Sequence, residues 1–232
     1  MKDYSDLESK LSSPFSILGD SERFVDFLTV LAHFPELSEK NVQLIAHQRP
    51  DAVMLATFST WKALSTPVRA NEKAIAIRNM RGSAWMPVFD ISQTSAKRTE
   101  PQVVADIGLI LAASVLLTES NREGLDWSPQ AYMDAYIRQE LASLPQRSSE
   151  ELDTLRDCMR TVINTRYLRP DVQSYHYIPD WTAGFDKDKH AQLLTTIYRL
   201  GKHILRNIEQ SLDQGGNLPV RHCGYLKSAE VV

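Results

Sequence analysis

The side chains that most often carry catalysis are scattered along this chain. Six histidines occur, at His33, His47, His176, His190, His203 and His222. None belongs to H-E-x-x-H, the helical pattern that sets two imidazoles one turn apart around zinc. There is no G-x-x-x-x-G-K-[ST] phosphate loop and no G-x-S-x-G nucleophile elbow. Asp186, Asp188 and His190 place three hard ligands close together, but at a predicted helix start, where acidic residues complement the helix dipole and cap free N–H groups. Asp90 on a strand face offers a general base with no partner group to name. Cys158 and Cys223 stand far apart, outside any C-x-x-C pattern, so neither a disulfide framework nor a cysteine zinc site is supported. The expectation is a non-catalytic protein without metal or cofactor.

Charge points elsewhere. The formal net charge is −3, yet residues 61–98 carry Lys62, Arg69, Lys73, Arg78, Arg81, Lys97 and Arg98 against only Glu72 and Asp90. An acidic protein with one basic island can present that island to a polyanion. The alternative is a solvated, salt-bridged face. Trp61 and Trp85 lie within the same stretch.

The elements that must hold this island can be read from periodicity. Phe24, Phe27, Leu28 and Leu31 recur at helical spacing, predicting a helix over 22–34 that Asp20 or Ser21 caps and Pro35 ends. A second helix is expected over 38–48. Residues 52–58 have strand character, and Ser59 is expected to cap a short helix over 61–64. Strands are expected over 74–78 and 87–93, the second with Phe89 and Ile91 on one face, joined by a turn containing Gly82. Beyond residue 98 the pattern is helical: 102–117, a helix opened by Ser128-Pro129 and running to Pro145, then 149–167 and 188–212 with Gly215-Gly216 at its end. The tail from Asn217 is expected to be loose. The fold class is therefore α+β: N-terminal helices packed on a small antiparallel sheet, followed by a mainly helical half.

Of 232 residues, 43% are hydrophobic and 24% charged, the balance of a chain with a real core. The most apolar run, 107–117, is too short to span a bilayer and reads as a buried core helix. The polar start MKDYSDLESK shows no secretory signal. A reducing cytosol and no membrane partner are expected.

One stretch resembles a known family. NVQLIAHQRPDAVMLATFSTWKALSTPVRANEKAIAI, followed by PVFDISQT, is similar to the N-terminal domain of ArdC-type antirestriction proteins and of LtrC-like proteins of conjugative elements. The shared elements fall on Asn41, Leu44 and Ile45; on Gln48, Pro50 and Asp51; on Trp61; on Val68, Arg69, Glu72, Lys73 and Ile75; and on Phe89 through Thr94. They span about residues 20–95. Two positions depart from the family pattern: Asn71 and Ala74 replace turn glycines. Asn tolerates positive φ, whereas Ala does so at a cost, so the turn at Ala74 is expected to be reshaped. Toward the C-terminus SYHYIPDW and the following helix resemble the end of an ImmA/IrrE-type metallopeptidase domain that has lost its H-E-x-x-H helix.

The first resemblance implies a single-stranded-DNA-binding domain over 1–98, leaving a helical domain over 99–232 that the second resemblance implies to be a degenerate peptidase-like domain. Single strands are held by a basic groove and aromatic platforms. The candidate residues are Lys62, Arg69, Lys73, Arg78 and Arg81 for phosphate, Trp61 and Trp85 for stacking with Phe58 as a lesser candidate, and Asn41 and Gln93 for polar contacts. The role implied is a mobile-element accessory protein that shields single-stranded DNA. Two other classes stay open: an inhibitor that docks on a host restriction or CRISPR nuclease, and a metal-dependent hydrolase with an unrecognised site.

Overall fold

In the computed structural model, which describes residues 7, 15–79, 84–96, 106–167, 186–215 and 224–226, each helix of the N-terminal half opens on a side chain suited to the task. A short α1 (Phe15–Leu18) leads to α2 (Ser21–His33), where the Asp20 carboxylate accepts from the N–H groups of Glu22 and Arg23. Phe24, Phe27, Leu28 and Leu31 form the buried stripe expected of them. Ser38 caps α3 (Glu39–Gln48) by accepting from Asn41 N. β1 is confined to Met54–Ala56. Thr57, not Ser59, caps α4 (Phe58–Ala63), so Phe58 begins a helix instead of ending a strand.

β2 (Ile75–Arg78) and β3 (Trp85–Asp90) form the expected antiparallel hairpin, with Ile75 opposite Val88 and Arg78 opposite Trp85. The turn glycine Gly82 lies outside the described residues. The strand expected over 87–93 starts earlier and stops at Asp90. There the Asp90 carboxylate accepts from Ser92 N and opens a 3-10 turn over Ile91–Gln93. Phe89 and Ile91 therefore share no strand face.

The sheet is mixed and four-stranded, in the order β2-β3-β1-β4. β1 runs antiparallel to β3, with Leu55 opposite Asp90. Its other neighbour is β4 (Gly224–Tyr225), parallel to it and drawn from the tail that was expected to be loose. Gly224 N donates to Val53 O at 2.9 Å and Leu226 N to Leu55 O at 2.8 Å. Both acceptors belong to buried residues, so the added strand supplies donors that β1 would otherwise lack. Gly224 has φ +119°, a conformation open to glycine.

Among the described residues the second half forms α5 (Asp106–Leu116), α6 (Glu119–Arg122), α7 (Pro129–Ala142), α8 (Ser149–Tyr167) and α9 (Lys187–Gln214). One hydrophobic cluster runs through both halves. It includes Phe27 and Leu31 of α2, Leu55, Ile75, Ile77 and Val88 of the sheet, Leu109 of α5, Ile137 of α7, Met159 and Val162 of α8, and Ile197 and Ile204 of α9. Gly201 permits the crossing of α9 over α2, since a Cβ there would sit 3.0 Å from Leu31 Cδ2. Polar ties reinforce the junction: Arg166 Nη1 donates to Ala32 O and His33 O at the C-terminal end of α2, and Tyr198 Oη donates to Leu37 O at 2.7 Å.

Two further expectations meet their outcome in this half. The apolar run of α5 buries Leu109, Ile110, Ala112 and Ala113, beside α7 and α9, but leaves Leu111 and Val115 exposed. Asp186 is the N-cap of α9, its carboxylate accepting from Lys189 N at 2.8 Å, while the buried His190 places Nδ1 2.9 Å from Asp186 O. That run is helix-capping structure. Among the described residues no three His, Cys, Asp or Glu side chains group as a metal site, and no helix is long and apolar enough to cross a membrane.

Candidate nucleic-acid interface

The motif residues fall into two sets, one inside the protein and one on its surface. The interior set begins on α3. Asn41 and Gln48 are seven residues, about two turns, apart, and so share a helix face. Asn41 Nδ2 donates to Arg78 O and its Oδ1 accepts from Arg78 N, both at 2.8 Å. Gln48 does the same with Ala76, both bonds at 2.9 Å. The two amides thus continue the β ladder on the outer edge of β2, beside which no further strand lies among the described residues.

The 90–95 segment is a second framework. Asp90 Oδ1 accepts from Val53 N and Met54 N, and Oδ2 from Ser92 N. With the residue 1% exposed and both oxygens engaged, this carboxylate is a structural clamp between β1 and the turn, not a base facing solvent. Gln93 Oε1 accepts from Asp90 N, and its Nε2 donates to Lys73 O and Glu72 Oε2. The 68–73 turn is stapled to the same segment by Arg69, whose Nη1 donates to Thr94 O and Nη2 to Ser92 O. Asn71 takes φ +63°, a conformation that asparagine tolerates. Ala74 keeps negative φ, so its side chain brings no backbone strain to the turn. Trp61 is 2% exposed and its indole Nε1 donates to Phe89 O at 2.8 Å, which pins α4 to β3.

Three of the expected DNA-contacting residues, Asn41, Trp61 and Gln93, therefore lie in the interior with their polar atoms engaged by the protein. A base cannot stack on a buried indole, and these residues belong to the scaffold. Arg81 lies outside the described residues, as do Lys97, Arg98 and the SYHYIPDW stretch.

The surface set gathers around the hairpin. Strand alternation sends Val88 and Asp90 inward and Trp85, Pro87 and Phe89 to the other side. Arg78, opposite Trp85 in the register, lays its guanidinium 4.1 Å from the centre of the indole ring. Phe58, 53% exposed, meets Phe89 edge-on with ring centres 6.3 Å apart. Lys62 follows Phe58 by one turn of α4 and is exposed, as is Lys73 just before β2. Arg69 is half-exposed but ion-paired with Glu72 at 2.7 Å. Hydrogen bonds from Arg69, then from Gln93, hold the Glu72 carboxyl below the usual carboxylate range. Ala56 and Ala76 point to this side too and are buried, so the accessible part is a rim carried by β3, the hairpin and α4.

The residue that sequence reasoning missed is Phe89. The available signal was Trp85, Pro87 and Phe89 at i, i+2 and i+4 of one strand, hidden by placing that strand two residues too late.

No protein-family profile, curated protein or solved structure matches this chain.

Proposed function

We propose that the protein binds single-stranded DNA along the β3 rim, as a non-catalytic accessory protein of a mobile genetic element that shields the strand from nucleases. The observation that carries the reading is the Arg78–Trp85 stack on a half-exposed sheet face. It joins a cation for phosphate to an aromatic plane for a base, the pairing that sequence-tolerant single-strand binders use. Lys73 and Lys62 extend the positive charge, while the pairing of Arg69 with Glu72 makes Arg69 the weaker contributor. The resemblance of residues 20–95 to ArdC-type domains supports the same reading and the role assigned to it.

Fluorescence anisotropy with an oligothymidylate, its duplex form and RNA at two salt concentrations tests it. The single strand should bind best, with log K falling by about 0.7 per phosphate contact per log unit of salt. Arg78→Ala/Lys73→Ala should weaken binding and flatten that slope. Wild-type protein that ignores single strands at low salt, or a double variant equal to wild type, overturns the proposal.

A second reading is favoured by Val115 and Trp127, which are 71% and 78% exposed in the helical half. Val115 lies one turn from Leu111, 47% exposed on the same face of α5, and neighbouring exposed apolar side chains suit a protein partner; a host defence nuclease is the partner class proposed. A nuclease that co-purifies with the chain despite added single-stranded DNA, and is lost on Trp127→Ser, supports that reading instead.

A further inference from the structure

Resting on the single-strand reading, we infer that Phe58 is a second stacking station, separate from Trp85, that holds another base of the same strand. Phe58 is half-exposed and belongs to no core cluster. Exposed single aromatics are common and by themselves mean little. This one differs because its position is fixed. It opens α4, whose start is capped by Thr57 and whose next turn is locked to β3 by the bond from Trp61 Nε1 to Phe89 O. Phe89 backs the ring from the sheet. A ring held in place loses little freedom when a base settles on it.

Lys62 completes the station. It lies four residues after Phe58 on α4 and therefore on the same helix face, where its ammonium can meet the phosphate beside a stacked base. The Trp85 and Phe58–Phe89 stations lie at opposite ends of β3. Trp85 and Phe89 are four residues apart, about 13 Å at the rise of an extended strand. A DNA strand lying along β3 meets first the Arg78–Trp85 pair, then Phe58. Very short ligands can occupy one station and not both.

The test compares oligothymidylates of three and twelve nucleotides on wild type, Phe58→Leu, Phe58→Trp and Lys62→Ala. Leucine keeps apolar bulk on a helix but offers no ring, and an unchanged unfolding midpoint verifies that the variant is folded. Phe58→Leu should weaken the twelve-mer roughly 5- to 150-fold, the range for loss of one base–aromatic stack, and barely change the trimer. Its salt slope should equal that of wild type, since no phosphate contact is removed. Lys62→Ala should lower the slope by about 0.7, and Phe58→Trp should bind at least as tightly as wild type. If Phe58→Leu binds the twelve-mer like wild type while Arg78→Ala does not, the second station is refuted and single-strand binding stands. If wild type binds neither length, both fall.

Discussion

Gln48 and Ala76, 28 residues apart, are joined as neighbouring strands are: the side-chain amide gives one hydrogen bond to the Ala76 carbonyl and takes one from its N–H, each 2.9 Å long. Ala76 is 1% exposed, so water cannot replace a lost partner. Gln48→Leu preserves side-chain bulk but strands both backbone groups. It should cost about 2–4 kcal/mol, read from urea unfolding at constant m-value.

The two tryptophans of the motif region should separate cleanly by experiment. Trp61→Phe keeps an aromatic ring in the interior and removes the donor to Phe89 O, for an expected loss of about 1–2 kcal/mol. Affinity of the folded variant for single strands should stay close to that of wild type. Trp85→Leu, on the half-exposed rim, should change stability by about 1 kcal/mol or less and weaken binding several-fold. Paired unfolding and anisotropy curves on both variants check this, and the opposite pattern would exchange scaffold and interface.

Residues 224–226 should matter far beyond their number. Gly224→Val forces a branched side chain into φ +119° and places its Cβ 3.2 Å from Glu36 Oε1. The strand should detach, leaving Val53 O and Leu55 O without their donors, at about 2–4 kcal/mol. Limited proteolysis should then cut near Tyr225 faster than in wild type. A fragment ending at residue 98 lacks β4 and also α8 and α9, which share the core with α2. It should show the circular dichroism of a largely unfolded chain.

These contrasts explain what the sequence disclosed. The stripe Phe24, Phe27, Leu28, Leu31 was legible because a long amphipathic helix repeats its signal at every turn. Asp20, Ser38 and Asp186 were legible or nearly so because caps act within three residues. A two-residue strand such as Gly224–Tyr225 carries no period, and its pairing with β1 depends on acceptors some 170 residues away. The motif residues misled for a related reason. Asn41, Trp61 and Gln93 are polar or aromatic in a basic stretch, which suits a ligand site. Their polar atoms instead meet backbone groups of strands and turns, and long-range hydrogen-bond partners leave no local trace. Trp85 and Arg78 were singled out as an aromatic and a cation of the same basic stretch; their pairing across the hairpin was hidden, because the strand expected from residue 87 left Trp85 outside it.

Cys158 should behave as an interior hydrophobe. It is 4% exposed, and burial, then the nearby Asp157 charge, push its thiol well above the usual range. Little thiolate forms, and reagents cannot reach it. In a Cys223→Ser background Ellman's reagent should leave the native protein unlabelled at neutral pH and label it once urea unfolds the chain. Rapid labelling without denaturant would contradict this packing.

Glu72 supplies the most direct link between the scaffold and the proposed interface. Its carboxyl is held below its ordinary value of 4.5 by Arg69 and Gln93. A depressed folded-state value means that the contribution to stability is present above 4.5 and is lost as pH falls through the folded value. Glu39 has the opposite sign. Burial raises it, so its contribution is present below 4.5 and lost as pH rises through the folded value. Glu72→Gln should therefore lose less stability than wild type between pH 5 and pH 3, read as a smaller drop in urea midpoint between the two values. At neutral pH the same variant removes the anion paired with Arg69 while Ser92 O and Thr94 O still hold the guanidinium in place. Its positive charge is then no longer offset by Glu72. Single-strand affinity should rise by a few-fold at low salt and return toward the wild-type value at about 1 M, where the screening length is about 3 Å. Unchanged affinity at low salt would place Arg69 outside the path of the strand and confine the phosphate contacts to Lys62, Lys73 and Arg78.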